Sequence, residues 1–315
     1  MRRLLLAALV TASLAGCTGA RYASAPPLPF ASVSYGQPTR YATASPRIAY
    51  TDTGTGEETI VLVHGLASNA GFWRYVVPTL AQQYRVIAVD LPGFGKSDKG
   101  QHLDYSMAGQ AEAVARLVDA LGVGPVHLVG HSMGGQIGTT LALRHPERLR
   151  SLTLLAPAGI ETFRPGEGAW LRNALTVRGI REASEEAVRR NLSQNVYRWS
   201  DRYEWLVEER VRMTKSPEMN DFARAVLASV GAMLDQPAAP LLERVRVPTQ
   251  IVYGKYDGLI PNPYLHPGRA RDVFAEGARR IPGARLVEID EAGHLVQIEK
   301  PAEVAAAVLA FVSTH

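Results

Sequence analysis

The chain predicts an α/β architecture, a mostly parallel sheet covered by helices on both faces, and three observations carry that expectation. Short apolar runs such as Thr59–Val63, Arg85–Val89 and Ser151–Leu155 alternate with longer stretches of helical periodicity. One of those runs, Val126–Val129, delivers Ser132 into the glycine-flanked turn Gly130-His131-Ser132-Met133-Gly134-Gly135. The alternation then stops after Pro157, and from 158 to 243 only charged helical pattern remains, as in Glu185–Arg190 and Tyr203–Arg210. With 315 residues, 46% of them hydrophobic and 20% charged, the chain can bury one large core. A formal charge of +4 without runs of like sign argues against a nucleic-acid partner.

The first sixteen residues read as an export signal. Arg2-Arg3 precede the apolar stretch Leu4–Val10, too short to span a bilayer, and Leu14-Ala15-Gly16 leads to the single cysteine, Cys17. That tetrapeptide resembles a bacterial lipobox, and the resemblance implies cleavage before Cys17, acylation of the new N-terminus and anchoring in the cell envelope. Thr18 stands where aspartate is associated with inner-membrane retention, so the outer membrane is the expected location. Residues 17–45, rich in Ala, Ser, Pro and Tyr without sustained periodicity, read as a lipidated tether. An acylated Cys17 leaves no thiol for a disulfide or a thiol nucleophile.

Along the remaining chain, Arg47–Thr51, a turn at Asp52–Gly56 and Thr59–Val63 read as a hairpin entering the sheet. Strands over 85–89, 126–129, 151–155, 249–253 and 285–289 follow, with helical patterns near 72–82, 105–121, 134–144, 265–280 and 302–312. The expected organisation is a core of residues 46–157 and 244–315, with residues 158–243 as a helical cap inserted after the sixth strand. Ligands of open α/β sheets bind at the carboxyl ends of the strands, and the insertion leaves from such an end.

A serine hydroxyl becomes a nucleophile only when a base removes its proton and a third group orients that base. Ser132 sits in the sharp turn, where glycine on either side permits the backbone to bend and the following helix aims its positive end at developing negative charge. Of the eight histidines, His294 in Glu291-Ala292-Gly293-His294 follows the last strand at the same sheet edge. Asp257 follows the penultimate strand, also at that edge. His64 reads as a loop support, His127 as a packed strand residue and His131 as pointing away from the site. Asp90 reads as a cap of its own loop amides. Glu161, after the preceding strand, is the competing acid, but the context of Asp257 fits better. The cap tryptophans Trp170, Trp199 and Trp205 are candidate pocket liners, although such spacing more often marks core.

Four motifs together resemble the α/β-hydrolase superfamily: His64-Gly65-Leu66 after one strand, Asp90-Leu91-Pro92-Gly93-Phe94-Gly95-Lys96-Ser97 after the next, the serine turn, and the paired Asp257 and Gly293-His294 loops. The resemblance covers about residues 46–313 and implies that the backbone N–H groups of Leu66 and Met133 form an oxyanion hole. Aspartate-nucleophile relatives are excluded by Ser132, and neither a dinucleotide fingerprint nor a metal-ligand cluster competes. The expected activity is that of a cofactor-independent serine hydrolase, a carboxylesterase for small to medium acyl esters. The same triad serves carbon–carbon bond hydrolases, perhydrolases and lipases, and a slow-turnover envelope sensor is the reading from outside enzymology.

Overall fold

The computed structural model describes residues 20–42 and 45–315, so Cys17 and the leader lie outside the described residues. Eight strands form one sheet: β1 (Thr39–Ala42), β2 (Ile48–Thr53), β3 (Thr59–Val63), β4 (Arg85–Val89), β5 (Val126–His131), β6 (Leu149–Leu155), β7 (Thr249–Gly254) and β8 (Arg285–Ile289), in spatial order β1-β2-β4-β3-β5-β6-β7-β8. β1 and β2 pair antiparallel at one edge, and every pairing from β4 through β8 is parallel. The central strands are apolar because helices cover both faces. Every residue of β3, Thr-Ile-Val-Leu-Val, is buried.

The expected hairpin between Arg47–Thr51 and Thr59–Val63 does not form. β2 pairs with β4, in register from Tyr50 opposite Val89 to Thr53 opposite Val86, and β3 lies between β4 and β5. β3, buried at every position, takes the middle of the sheet, whereas β2 lies next to the edge strand and carries Asp52, whose carboxylate accepts from Arg85 Nη2 of β4 at 2.9 Å.

The helices α1 (Val77–Leu80), α2 (Met107–Ala120), α3 (Met133–Arg144), α9 (Ala270–Arg280), α10 (Val296–Glu299) and α11 (Pro301–Val312) belong to the sheet layers, close to the helical patterns read from the sequence. Between β6 and β7 the chain forms α4 (Pro165–Ala174), α5 (Val177–Arg181), α6 (Glu185–Ser193), α7 (Glu204–Met213) and α8 (Met219–Asp235), with no strand. Gln136 of α3 fastens this insertion to the core, its Nε2 donating to the carbonyls of Met233 at 3.0 Å and Gln236 at 2.7 Å.

Residues 20–42 are not a tether. Phe30, Val33 and Tyr35 are buried in the main core, and β1 pairs with β2 from Thr39 opposite Thr51 to Ala42 opposite Ile48. The same segment crosses the insertion: Tyr22 N donates to Glu185 Oε2 at 2.7 Å, Leu28 N to the carbonyl of Arg212 at 3.1 Å, and Lys215 Nζ to the carbonyl of Ala23 at 2.8 Å. Its apolar residues are spaced irregularly between prolines, so neither a period of two nor one of 3.6 betrays their burial. No helix among the described residues is long and apolar enough to cross a membrane.

Candidate active site

Ser132 stands between β5 and α3 with φ 53° and ψ −116°, a conformation that L-residues rarely adopt and that costs about 1–3 kcal/mol. The surroundings hold it there. Ser132 N donates to the carbonyl of Leu155 at 2.9 Å, and its own carbonyl accepts from Gly135 N at 2.9 Å and Ala158 N at 3.0 Å. Only glycine fits two residues on, since a Cβ at Gly134 would fall 2.3 Å from the carbonyl oxygen of Val63. Ser132 itself remains partly accessible at the end of the buried strand.

The loops after β7 and β8 are zipped together. Lys255 N donates to the carbonyl of Ile289 and Tyr256 N to that of Ala292, both at 2.9 Å, which brings Asp257 beside His294. His294 Nδ1 then donates to Asp257 Oδ2 at 2.7 Å, with both side chains almost wholly buried. The other oxygen, Oδ1, accepts from Leu259 N at 2.8 Å and Ile260 N at 3.1 Å, so the carboxylate cannot rotate away. An ionised carboxylate only accepts, so Nδ1 carries the proton and Nε2 presents its lone pair.

Ser132 and His294 come from distant loops, yet the elbow and the histidine loop are in direct contact. His131 Nε2 donates to the carbonyl of His294 at 2.9 Å, and the two imidazoles pack with centroids 4.9 Å apart. The expectation that His131 points away from the site is therefore corrected: it is the last residue of β5, and the alternation of faces along a strand does not reveal that the loop after β8 packs on its ring. No hydrogen bond joins Ser132 Oγ to His294 among the described residues. The backbone N–H groups of Leu66 and Met133 have no acceptor among the described residues, and Met133 is the first residue of α3, where such amides are normally unpartnered.

The supporting residues fall where the sequence put them. His64 is buried, receives Leu91 N at Nε2 at 3.1 Å and donates from Nδ1 to the carbonyl of Gly65 at 2.8 Å. Burial lowers its pKa, as it does for His127 and more strongly for His131. Asp90 caps loop amides, accepting from Ala70 N and Lys96 N at 2.7 Å each and from the Tyr35 hydroxyl at 2.7 Å. Glu161 is occupied elsewhere, taking Asn262 N at 2.8 Å and facing His266 Nδ1 at 2.5 Å. Among the tryptophans, Trp170 is 48% exposed on α4, and Trp205 is packed under the Arg74 guanidinium, 3.8 Å from its ring centroid.

One group had no signal in the sequence. Arg210, on α7 of the insertion, donates from Nη2 to the carbonyl of Ala67, the residue after Leu66, and lies 5.1 Å over the ring of Phe222. Burial depresses its pKa to about 10, offset in part by Glu209. No carboxylate lies within salt-bridge distance of Arg210 among the described residues, because Glu209 is paired with Arg74 at 3.2 Å. In the sequence Arg210 is one of two arginines on a charged helix, and only the packing of that helix against the Ala67 loop distinguishes it.

The sheet order, the serine turn and the Asp257–His294 pair agree with a match to the family model for the alpha/beta hydrolase fold over residues 58–301. The chain belongs to this family. The α/β-hydrolase is 32% identical over 267 residues to a 2-hydroxy-6-oxononadienedioate/2-hydroxy-6-oxononatrienedioate hydrolase of Burkholderia vietnamiensis, covering 80% of this chain and 86% of that relative. Among solved structures it is similar to a "probable hydrolytic enzyme" of Pseudomonas aeruginosa PAO1, with TM-score 0.80, 29% identity and coverage of 91% and 98%. It is also similar to a membrane phospholipase A, with TM-score 0.71, 28% identity and coverage of 89% and 87%.

Proposed function

We propose that this α/β-hydrolase is a cofactor-independent serine hydrolase of a carboxylate-bearing substrate, and that its reaction is cleavage of a carbon–carbon bond in an acid of the 2-hydroxy-6-oxo-dienedioate type. The observation that carries the substrate class is Arg210. A partly buried guanidinium without a salt-bridge partner is costly, and a substrate carboxylate beside the Ala67 loop would neutralise it. The similarity to a hydrolase of such an acid supports the reaction class and moves the proposal from carboxylesterase to the carbon–carbon alternative.

In this reading Ser132 Oγ attacks the ketone carbon while Nε2 of His294 takes its proton, and Asp257 holds His294 in the required tautomer. The N–H groups of Leu66 and Met133 donate to the resulting oxyanion. Collapse of the tetrahedral species breaks the carbon–carbon bond. This requires the 2-oxo tautomer of the substrate, in which the enol proton has moved to the carbon next to the ketone. The electron pair released at that carbon delocalises through the remaining double bond onto the 2-oxo group, and the dienolate takes the proton from His294. A water molecule, deprotonated by His294, then cleaves the acyl-serine. A second reading keeps the same residues and lets an alkoxide leave, cleaving small to medium acyl esters, and the 28% identity to a membrane phospholipase A supports it.

The test compares purified protein on a 2-hydroxy-6-oxo-dienedioate, followed by loss of its chromophore, with p-nitrophenyl butyrate. We expect kcat/KM for the acid to exceed that for the ester by about tenfold or more, with both activities lost in Ser132→Ala. Turnover of the ester alone transfers the proposal to the esterase reading. If a fluorophosphonate fails to label Ser132 and neither compound is cleaved, the envelope-sensor reading replaces both.

Export and anchoring also belong to this proposal. The support is the leader pattern Arg2-Arg3, Leu4–Val10 and Leu14–Cys17, which implies an acylated Cys17 in the envelope, in the outer membrane rather than the inner. Cys17→Ser should then move the protein from the membrane fraction to the soluble fraction.

A further inference from the structure

Glu299 closes α10, is 4% exposed, and has no cationic side chain within salt-bridge distance among the described residues. Both carboxylate oxygens accept backbone amides. Oε2 takes Gly293 N, the residue before His294, at 2.7 Å, and Oε1 takes Tyr197 N of the insertion, also at 2.7 Å. Burial raises its pKa; the two amides lower it, as does the Arg202 guanidinium, whose Nη2 donates to the Glu299 main-chain carbonyl at 3.1 Å, while Asp257 adds a repulsive charge nearby. If that position served packing alone, an apolar residue would fill it at lower cost than a buried carboxylate without a salt-bridge partner.

The contact is wider than one side chain. Leu295 N donates to the carbonyl of Asn195 at 2.9 Å, so one neighbour of His294 is bonded to the 195–197 segment directly and the other, Gly293, through Glu299. The backbones meet closely, and a Cβ at Gly293 would fall 2.8 Å from Tyr197 N. Tyr197 in turn stacks on Tyr256, the neighbour of Asp257, with centroids 4.2 Å apart and planes 23° from parallel. The segment Asn195–Tyr197 thus touches the loop of the imidazole and the loop of its carboxylate.

We propose that Glu299 is a positioning residue that couples the placement of the helical insertion to the orientation of His294, so that the insertion is part of the catalytic frame as well as its cover. This rests on the serine-hydrolase reading above. A shift of the 195–197 segment would be passed through the Glu299 carboxylate to Gly293 and so to the imidazole, where displacement of about 1 Å is worth about a hundredfold in rate.

The experiment measures kcat, KM and amide hydrogen exchange in the full protein and in Glu299→Ala and Glu299→Gln. Glu299→Ala should lower kcat by about 10²-fold with KM changed less than about threefold, and should speed exchange at Gly293 and Tyr197 together. Glu299→Gln keeps one accepting oxygen and should recover part of the rate. It also serves as the test if the alanine variant does not fold. Parent kcat in a folded variant, a loss confined to KM, or unchanged exchange at Gly293 overturns the proposal. A parent protein that neither labels at Ser132 nor turns over substrate refutes the hydrolase reading instead, and the exchange at Gly293 and Tyr197 then decides the coupling without turnover.

Discussion

Asp257 Oδ2 lies 2.7 Å from His294 Nδ1, while Oδ1 of the same carboxylate is held by the amides of Leu259 and Ile260. The acid is thereby clamped on one side and committed to the imidazole on the other. Asp257→Asn would keep this shape but present an amide that can donate to Nδ1, which favours the wrong imidazole tautomer. We expect a loss of about 10⁴-fold in kcat with little change in fold. Steady-state kinetics with a circular-dichroism control checks this, and a loss of less than about tenfold would remove Asp257 from the role.

Arg210 offers a second test. Glutamine in its place keeps an N–H donor on a shorter side chain but has no charge for a substrate carboxylate. A charge-assisted hydrogen bond is worth about 1.5–3 kcal/mol, so kcat/KM for the dienedioate should fall roughly 10- to 100-fold. A neutral ester should lose much less. Equal losses on the two substrates would mean that Arg210 only braces the Ala67 loop.

Three buried histidines set an acid limit on stability. His64, His127 and His131 all have pKa values lowered by burial, whereas in the unfolded chain each titrates near 6.5. Below that pH the unfolded state binds protons that the folded state refuses, so stability present above about pH 6.5 is lost as pH falls, by up to about 1.4 kcal/mol per pH unit for each histidine. His266, raised by its bond to Glu161, has the opposite sign: its contribution is complete below the unfolded value and fades as pH rises through the folded one. Urea midpoints measured from about pH 7 down to 5 should therefore decline, and a flat profile would contradict the burial of neutral imidazoles.

The N-terminal segment can be tested at Phe30. Its ring is 1% exposed, packs on Phe222 at 5.3 Å between centroids and lies under Lys99 Nζ at 4.6 Å. Phe30→Ala should cost about 3–5 kcal/mol in denaturant unfolding. A cost below about 1 kcal/mol would restore the tether that the sequence suggested.

By itself the sequence determined the local chemistry of this protein: which apolar runs become strands, the glycine-permitted turn at Ser132, and the presence of Asp257 and His294 in loops after the last two strands. These are properties of short segments, set by periodicity and by backbone sterics that a neighbouring side chain cannot alter. Tertiary structure alone decided the pairings and partners. It carried β3 into the middle of the sheet, drew Phe30 and Tyr35 into the core and turned His131 onto His294. It also left Arg210 and Glu299 without a salt-bridge partner among the described residues, and the proposed substrate class and coupling rest on their contacts with Ala67, Gly293 and Tyr197. Such features arise where segments far apart in the chain compete for the same buried space and the same hydrogen-bond acceptors. Their energies belong to the pair, and neither segment holds that information alone.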